Sequence, residues 1–367
     1  MEDWFSISDV DQVDTPSLVV YPQRVKYNLD LLKTHIDKVD RLRPHVKTHK
    51  CIEAALLNIE AGINKFKCAT IAEAEMLGMC KAMDVLLAYQ PIGPKINRLI
   101  SLIKQYPDTK YSCLIDSLVS AQNINTVAVT NALSIDVYID INVGMNRSGI
   151  HPHEAFELYE QSSKLSNLKV KGLHAYDGHI HDADFEIRIQ RCNDSFAPVE
   201  ELIAQLNDAG FNPITIAGGT PTFPIHAKRK DVECSPGTFI YWDEGYGKSC
   251  KEQEFLPAAL VISRLVSMPD ETRICVDLGH KSIASENTLD KRVVFLNAPE
   301  LKPVGHSEEH LVLEAGAGHN YKIGDLLYGL PYHICPTIAL YERAIIIEDK
   351  KVIGEWKTIA RDRKINI

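Results

Sequence analysis

RLRPHVKTHKCIEAALLNIEAGINKFKCATIAEAEMLGMCKAMDVLLAYQ, residues 41 to 90, reads as three short strands separated by two helix-length stretches. RLRPHVKTH, KFKCAT and VLLAYQ are the strands, and IEAALLNIEAG and IAEAEMLGMC are the amphipathic segments between them. Repeated strand-then-helix units imply a parallel sheet. Toward the N-terminus the pattern extends to SLVVY at 17 and YNLDLLKTHIDKV at 27. Toward the C-terminus it runs through YSCLID at 111, VYIDINV at 137, VKGLHAY at 170, TIAGGT at 215 and VECSP at 232. Counted from RLRPHVKTH this makes eight strands, with SLVVY left over. An α/β chain of this kind suits a closed (β/α)8 TIM barrel, although an open doubly wound sheet reads similarly up to the fifth or sixth unit.

After about residue 250 the texture changes. ALVISRLVSM, TRICVDLG, KRVVFLN, HLVLEAG and RAIIIEDKKVIGEW are strand-like runs joined by short turns. The sequence therefore predicts a barrel over 15–250 and a C-terminal β-rich domain over 251–367, which residues 1–14 can also join.

Composition narrows the class. With 367 residues, 45% hydrophobic and 24% charged, the chain buries a large core as one large domain or two ordinary ones. Its longest apolar runs, such as Ala258 to Ile262, fall far short of the roughly 20 residues of a membrane-spanning helix. The acidic N-terminal stretch lacks the basic and apolar regions of a secretory signal. Nine scattered cysteines without CxxC pairs do not resemble a disulfide framework, so a cytoplasmic location is expected. A net charge of -9 leaves no basic field for nucleic acid. The expected partner is a small molecule, not a membrane or a polyanion.

On a strand, Arg43, His45, Lys47 and His49 share one face, while Pro44, Val46 and Thr48 take the other. Pointed into a barrel near the carboxyl end of its first strand, that face stands where barrel enzymes keep their chemistry. A lysine among cations has its charged form disfavoured, and a neutral amine can capture an aldehyde cofactor. Lys47 is the candidate. The same pattern also suits a solvated basic strand end. Further on, AGGTPTFP (217–224) and SPGT (235–238) close successive late strands. The backbone amides of Gly218, Gly219, Thr220, Gly237 and Thr238 can cradle a phosphate there, or the glycines simply serve turn geometry.

Read together, RPHVKTHK, INVGMNRSG, GLHAYDGH, AGGTPT, ECSPGT and PYHICPT resemble the alanine racemase-like, fold-type III family of pyridoxal-phosphate enzymes. Within that family they resemble the D-threonine aldolase and D-serine dehydratase branch, over nearly the whole chain. The resemblance implies a barrel that binds pyridoxal 5'-phosphate and a metal-binding β domain, assembled as a homodimer. It makes Lys47 the cofactor lysine, puts Arg147 beside the cofactor's phenolic oxygen and Tyr176 near its pyridine ring, and sets Gly219, Thr220, Gly237 and Thr238 around its phosphate. Two departures from the racemases stand out. No arginine accompanies the Ser235, Pro236, Gly237 turn to face the pyridine nitrogen, and DLGHKSIASEN (277–287) lacks the tyrosine that racemases use as a second base. Racemisation is therefore disfavoured.

His333 and Cys335, two residues apart in a stretch read as extended, emerge on one face and can converge on a cation. By themselves they equally suit a small buried thiol and a structural hydrogen bonder. The branch carries a metal-binding His-x-Cys or His-x-Asp in its second domain, which assigns the pair as ligands. Thiolate with imidazole favours zinc over manganese, and two protein ligands leave open positions for substrate.

Two reactions fit this set. A retro-aldol on a D-3-hydroxy amino acid such as D-threonine yields glycine and acetaldehyde. A dehydratase acting on D-serine yields pyruvate and ammonia. His179 and His181, just past the strand that carries Tyr176, are candidate bases for the β-hydroxyl, or else solvent-facing loop histidines. The motif wording leans to the aldolase, and the His-x-Cys pair pulls toward the dehydratase. A non-catalytic cofactor-binding protein and a metal-dependent barrel hydrolase without pyridoxal phosphate are the readings from other classes.

Overall fold

The computed structural model describes residues 4 to 8 and 10 to 367. These pack as two units. The first strand, β1 (Ser17–Val20), belongs to the second unit.

The barrel unit comprises Asp30–Lys47, Ala55–Gly237 and Asp362–Ile367. Its seven strands are β2 (Lys65–Cys68), β3 (Asp84–Leu87), β4 (Lys110–Ile115), β5 (Ile135–Ile141), β6 (Leu168–Ala175), β7 (Ile214–Ala217) and β8 (Val232–Cys234). They pair in chain order, all parallel. Leu42–His45 fills the remaining place, with Leu42 bridging to Cys234 and His45 to Lys67, both parallel. Arg43 N donates to Cys234 O at 2.9 Å and Val46 N to Lys67 O at 2.9 Å, so the ring closes. The segment is shorter than the strand expected from residues 41–49, because the chain turns at Val46–His49. That turn takes His49 off the face shared by Arg43, His45 and Lys47. His49 instead lies buried with its ring against Cys51, where burial pushes its pKa down to about 3.

Side chains enter the barrel two residues at a time toward the carboxyl ends of the strands. Deepest is an ionic plug. Arg43, 1% exposed, donates to Glu233 at 2.7 Å and to Asp84 at 2.6 Å, and Lys65 joins Glu233 at 2.5 Å. Leu86, Leu114, Tyr138 and Ile216 form an apolar layer. A polar layer follows, in which Lys67 Nζ sits 3.4 Å from His174 Nε2, and His174 Nδ1 sits 2.8 Å from Asp140 Oδ1. Asp140 Oδ2 also accepts from Gln90 at 3.0 Å and Ser148 at 2.9 Å. The helix Ile71–Met79 is started by Thr70, whose hydroxyl accepts from Glu73 N at 3.1 Å, while Glu73 reaches back to Ala69 N.

The second unit holds the described residues up to Leu29, Thr48–Ala54 and Thr238–Arg361. Its strands are β9 (Ala259–Ser267), β10 (Arg273–Val276), β11 (Val293–Phe295), β12 (Lys302–His306), β13 (Leu311–Glu314), β14 (Leu326–Pro331), β15 (Arg343–Glu348) and β16 (Lys351–Lys357). The leftover SLVVY strand finds its place here: β1 pairs antiparallel with β9 and parallel with β15. Val19, Leu260, Ile262, Tyr328, Leu330 and Ile347 pack together as the core beside it. Among the described residues, no helix is long and apolar enough to cross a membrane.

Lys67 is 2% exposed, and burial, reinforced by Lys47, pushes its pKa from 10.5 to about 7. Between those values the unfolded chain holds a proton that the folded chain lacks, so this residue makes stability rise with pH across that window. Below about 7 both states carry the charge and its burial cost is present in full; above 10.5 neither carries it. Lys67→Met is accordingly expected to shift stability in its favour more at about pH 6 than at about pH 9, as read from urea unfolding at both. The lost contact to His174 is common to both pH values, so a difference that does not change with pH contradicts the buried charge.

Candidate active site

At the carboxyl ends of the barrel strands lies a cavity of about 550 Å³, within the roughly 300–1,000 Å³ usual for small-molecule sites. Lys47, half-buried, lines it together with His45, Lys67, Arg147, His174 and Tyr176. The Tyr176 ring is ringed by cations: Arg147 Cζ lies 4.9 Å, Lys67 Nζ 5.3 Å and Lys47 Nζ 5.9 Å from its centroid. None of the lining residues is acidic.

Each group is positioned by its local sequence. The Lys47 amide donates to His45 Nδ1 at 3.2 Å, which fixes the turn that carries the lysine. Arg147 stands on a loop that folds back on β5. Asn142 Oδ1 accepts from the amides of Gly144 and Asn146, both at 3.1 Å, and Ile150 N returns to Asp140 O at 2.9 Å. Gly149, at φ +97°, is the closest approach, since a Cβ there would stand 2.7 Å from Asn142 N.

The AGGTPT turn packs on Tyr176: a Cβ on Gly219 would lie 3.1 Å from the ring's Cε2. Gly237 N donates to Thr220 Oγ1 at 3.1 Å, tying the two glycine turns together. Ser235 Oγ is buried with no partner among the described residues. Beneath the AGGTPT turn, Asp177, Cys192 and His226 are all buried and near enough to share a cation. Asp177 accepts from His226 at 2.9 Å and from Thr222 at 2.8 Å, and burial pushes the Cys192 thiol up to about 12. With a protonated thiol and Asp177 bonded to both His226 and Thr222, this cluster pins the turn, and His226 Nδ1 is left buried with no partner among the described residues.

In the second unit, His333 and Cys335 do not sit on an extended run. His333 precedes the short helix Ile334–Ile338 and Cys335 lies in its first turn, where Pro336 costs no hydrogen bond. Cys335 Sγ is 3.1 Å from Thr48 Oγ1 and 3.6 Å from Thr238 Oγ1. His333 Nδ1 meets Glu286 Oε1, and the buried Asp243 accepts from Ile334 N at 3.0 Å. Burial works against the imidazolium, but Cys335 and Glu286 outweigh it and push the His333 pKa up to about 9. A cation bound at this imidazole displaces that proton.

His179 and His181 do not line the cavity. His181 is exposed with Nδ1 3.0 Å from His179 O, and His179 Nδ1 is buried with no partner among the described residues. Burial pushes the His179 pKa down. The sequence reading passed over Lys67, His174, Asp140 and Arg363. A period-2 count through KFKC and VKGLHAY would have flagged two of them: Lys67 shares a face with Lys65, and His174 with Tyr176.

Residues 20–244 match the family described as alanine racemase, N-terminal domain, and residues 258–347 match a serine dehydratase domain. A D-threonine aldolase of Arthrobacter sp is 26% identical over 358 residues, covering 95% of this chain and 93% of that protein. A D-threo-3-hydroxyaspartate dehydratase of Delftia sp. (strain HT23) is 24% identical over 379 residues, covering 95% and 97%. The crystal structure of a D-threonine aldolase from Filomicrobium marinum superposes with a TM-score of 0.87 at 25% identity, covering 97% of each chain. Since the first match spans well over half of the sequence, the chain belongs to the family of the alanine racemase N-terminal domain, here followed by a serine dehydratase domain.

Proposed function

We propose that the protein is a pyridoxal-phosphate-dependent lyase of D-3-hydroxy amino acids, working as a D-threonine-type aldolase. The observation that carries this is Lys47, a lysine lining a cavity whose walls hold cations and no acid. The residues present fit the coenzyme. Lys47 would hold its aldehyde, Arg147 its phenolic oxygen and Tyr176 its ring, while the turns at Gly219, Thr220, Gly237 and Thr238 would supply amides to its phosphate. Ser235 offers a buried hydroxyl without a partner among the described residues, a neutral group where the racemases place an arginine. When bound, the coenzyme supplies an electron sink for the carbanion that forms at the α-carbon.

His333 and Cys335 would hold a divalent cation, which would supply Lewis acidity toward a hydroxyl oxygen, with Glu286 beside the imidazole. An imidazole with a thiolate suits zinc, and manganese is the second choice. The two activities differ in which bond the chain's groups help to break. Removing the hydroxyl proton favours cleavage between the α- and β-carbons. Taking the α-proton with Lys47 favours loss of water. The dehydratase stays as the second reading because the Delftia relative is a dehydratase and the metal pair here is a His-x-Cys. All nine cysteines are free, which suits a reducing compartment such as the cytoplasm.

A product assay on D-threonine and D-serine, with zinc or manganese added, tests the proposal. Glycine and acetaldehyde from D-threonine are expected; keto acid with ammonia moves the protein to the dehydratase reading, and turnover of neither overturns both. His333→Ala is expected to keep the visible absorbance of the bound coenzyme and to lose activity on the order of 10²- to 10⁴-fold, as chelation of the wild type does. Activity that survives both treatments contradicts the metal assignment.

A further inference from the structure

We propose that Arg363 selects substrates bearing a second, side-chain carboxylate, and that the segment Asp362–Ile367 is a strap that holds it at the cavity. This rests on the reading of the protein as a lyase of D-3-hydroxy amino acids and names the substrate class within it.

The strap is fastened at both ends. Glu75, on the helix Ile71–Met79, is fully buried and accepts from Asn366 N at 3.1 Å, Asn366 Nδ2 at 2.9 Å and Ile367 N at 3.2 Å. Arg98, on the helix Pro94–Gln105, donates to the carbonyl oxygens of Ile367 at 2.7 Å and of Arg363 at 2.9 Å. A buried carboxylate is costly unless it is hydrogen-bonded, so Glu75 ties the segment to one place. The result is that Arg363 joins the cavity lining.

Charge identifies what Arg363 would meet. The lining contains four basic side chains, Lys47, Lys67, Arg147 and Arg363, with burial favouring the neutral form of Lys67, and no Asp or Glu. Lys47 and Arg147 are assigned to the coenzyme. The α-carboxylate of any amino acid favours the charged form of Lys67 and can be met there, which leaves Arg363 over for a substrate with a neutral side chain. A side-chain carboxylate balances it. Arg363 is the better reader of the two that remain. It is exposed and its guanidinium has no partner among the described residues, whereas Lys67 is buried against His174. A guanidinium also stays charged at every working pH and matches a carboxylate with two parallel hydrogen bonds.

The test compares D-3-hydroxyaspartate with D-threonine on the metal-loaded holoenzyme, in the wild type, Arg363→Gln and Arg98→Gln. For Arg363→Gln, KM for 3-hydroxyaspartate should rise on the order of tenfold to a hundredfold with kcat little changed, while D-threonine stays within about threefold. Arg98→Gln keeps the guanidinium but loosens the strap, and should move the same KM in the same direction by less. Calorimetry with succinate, which needs no turnover, should show a matching loss of affinity in Arg363→Gln, with butyrate unaffected. Equal losses for both amino acids place Arg363 on the common α-carboxylate and overturn the proposal, as does succinate binding that ignores the substitution. If succinate binding depends on Arg363 but no D-3-hydroxy amino acid is turned over, the carboxylate site stands and the lyase reading falls.

Discussion

Arg43 sits between Glu233 and Asp84, almost wholly out of water, and the segment that carries Lys47 is registered by that contact. A buried guanidinium without both carboxylates would cost several kcal/mol, so the two ion pairs admit one placement of residues 42–47 against β2 and β8. Backbone hydrogen bonds on either side, to Cys234 and Lys67, repeat the constraint. Two residues past Arg43 comes His45 and two past that Lys47, so the pairing at the bottom of the barrel decides which side chain reaches the cavity. A slip of one residue would send Val46 inward and Lys47 out.

From that plug toward the mouth the barrel interior changes character. Its deepest cations are paired with carboxylates. The middle layer is apolar, and the layer above ties Lys67 to a neutral imidazole whose other nitrogen is held by Asp140. At the mouth the positive charges have no carboxylate among the lining residues. Positive potential is thereby concentrated where an anionic coenzyme and an anionic substrate would bind, in a pocket with low-dielectric walls. The chain's overall charge of -9 hides this local reversal.

The barrel was legible because its strands alternate with amphipathic helices over some 200 residues, and the β domain because its runs lack that alternation. Lys47 was legible from period-2 counting on RPHVKTH. That counting failed at His49, because the backbone turns from Val46 onward and periodicity ends with the strand. It failed again at His333 and Cys335, where Pro336 reads as a breaker in a strand but is accommodated in the first turn of a helix. Lys67 was missed for a different reason. A lysine in KFKC reads as surface, and only the closure of the barrel reveals that its face is the interior. Arg363 lies nearly 300 residues from Lys67 in sequence, and no local pattern joins them.

Which amine meets the coenzyme decides where the chemistry sits, because two lysines, Lys47 and Lys67, line the same cavity. Incubation with pyridoxal phosphate, reduction with borohydride and peptide mapping by mass spectrometry answer this directly. The pyridoxyl label is predicted on Lys47, in a peptide that spans the RPHVKTHK stretch. Label on Lys67 with Lys47 unmodified, or label scattered over exposed lysines alone, would contradict the placement of the chemistry in this barrel.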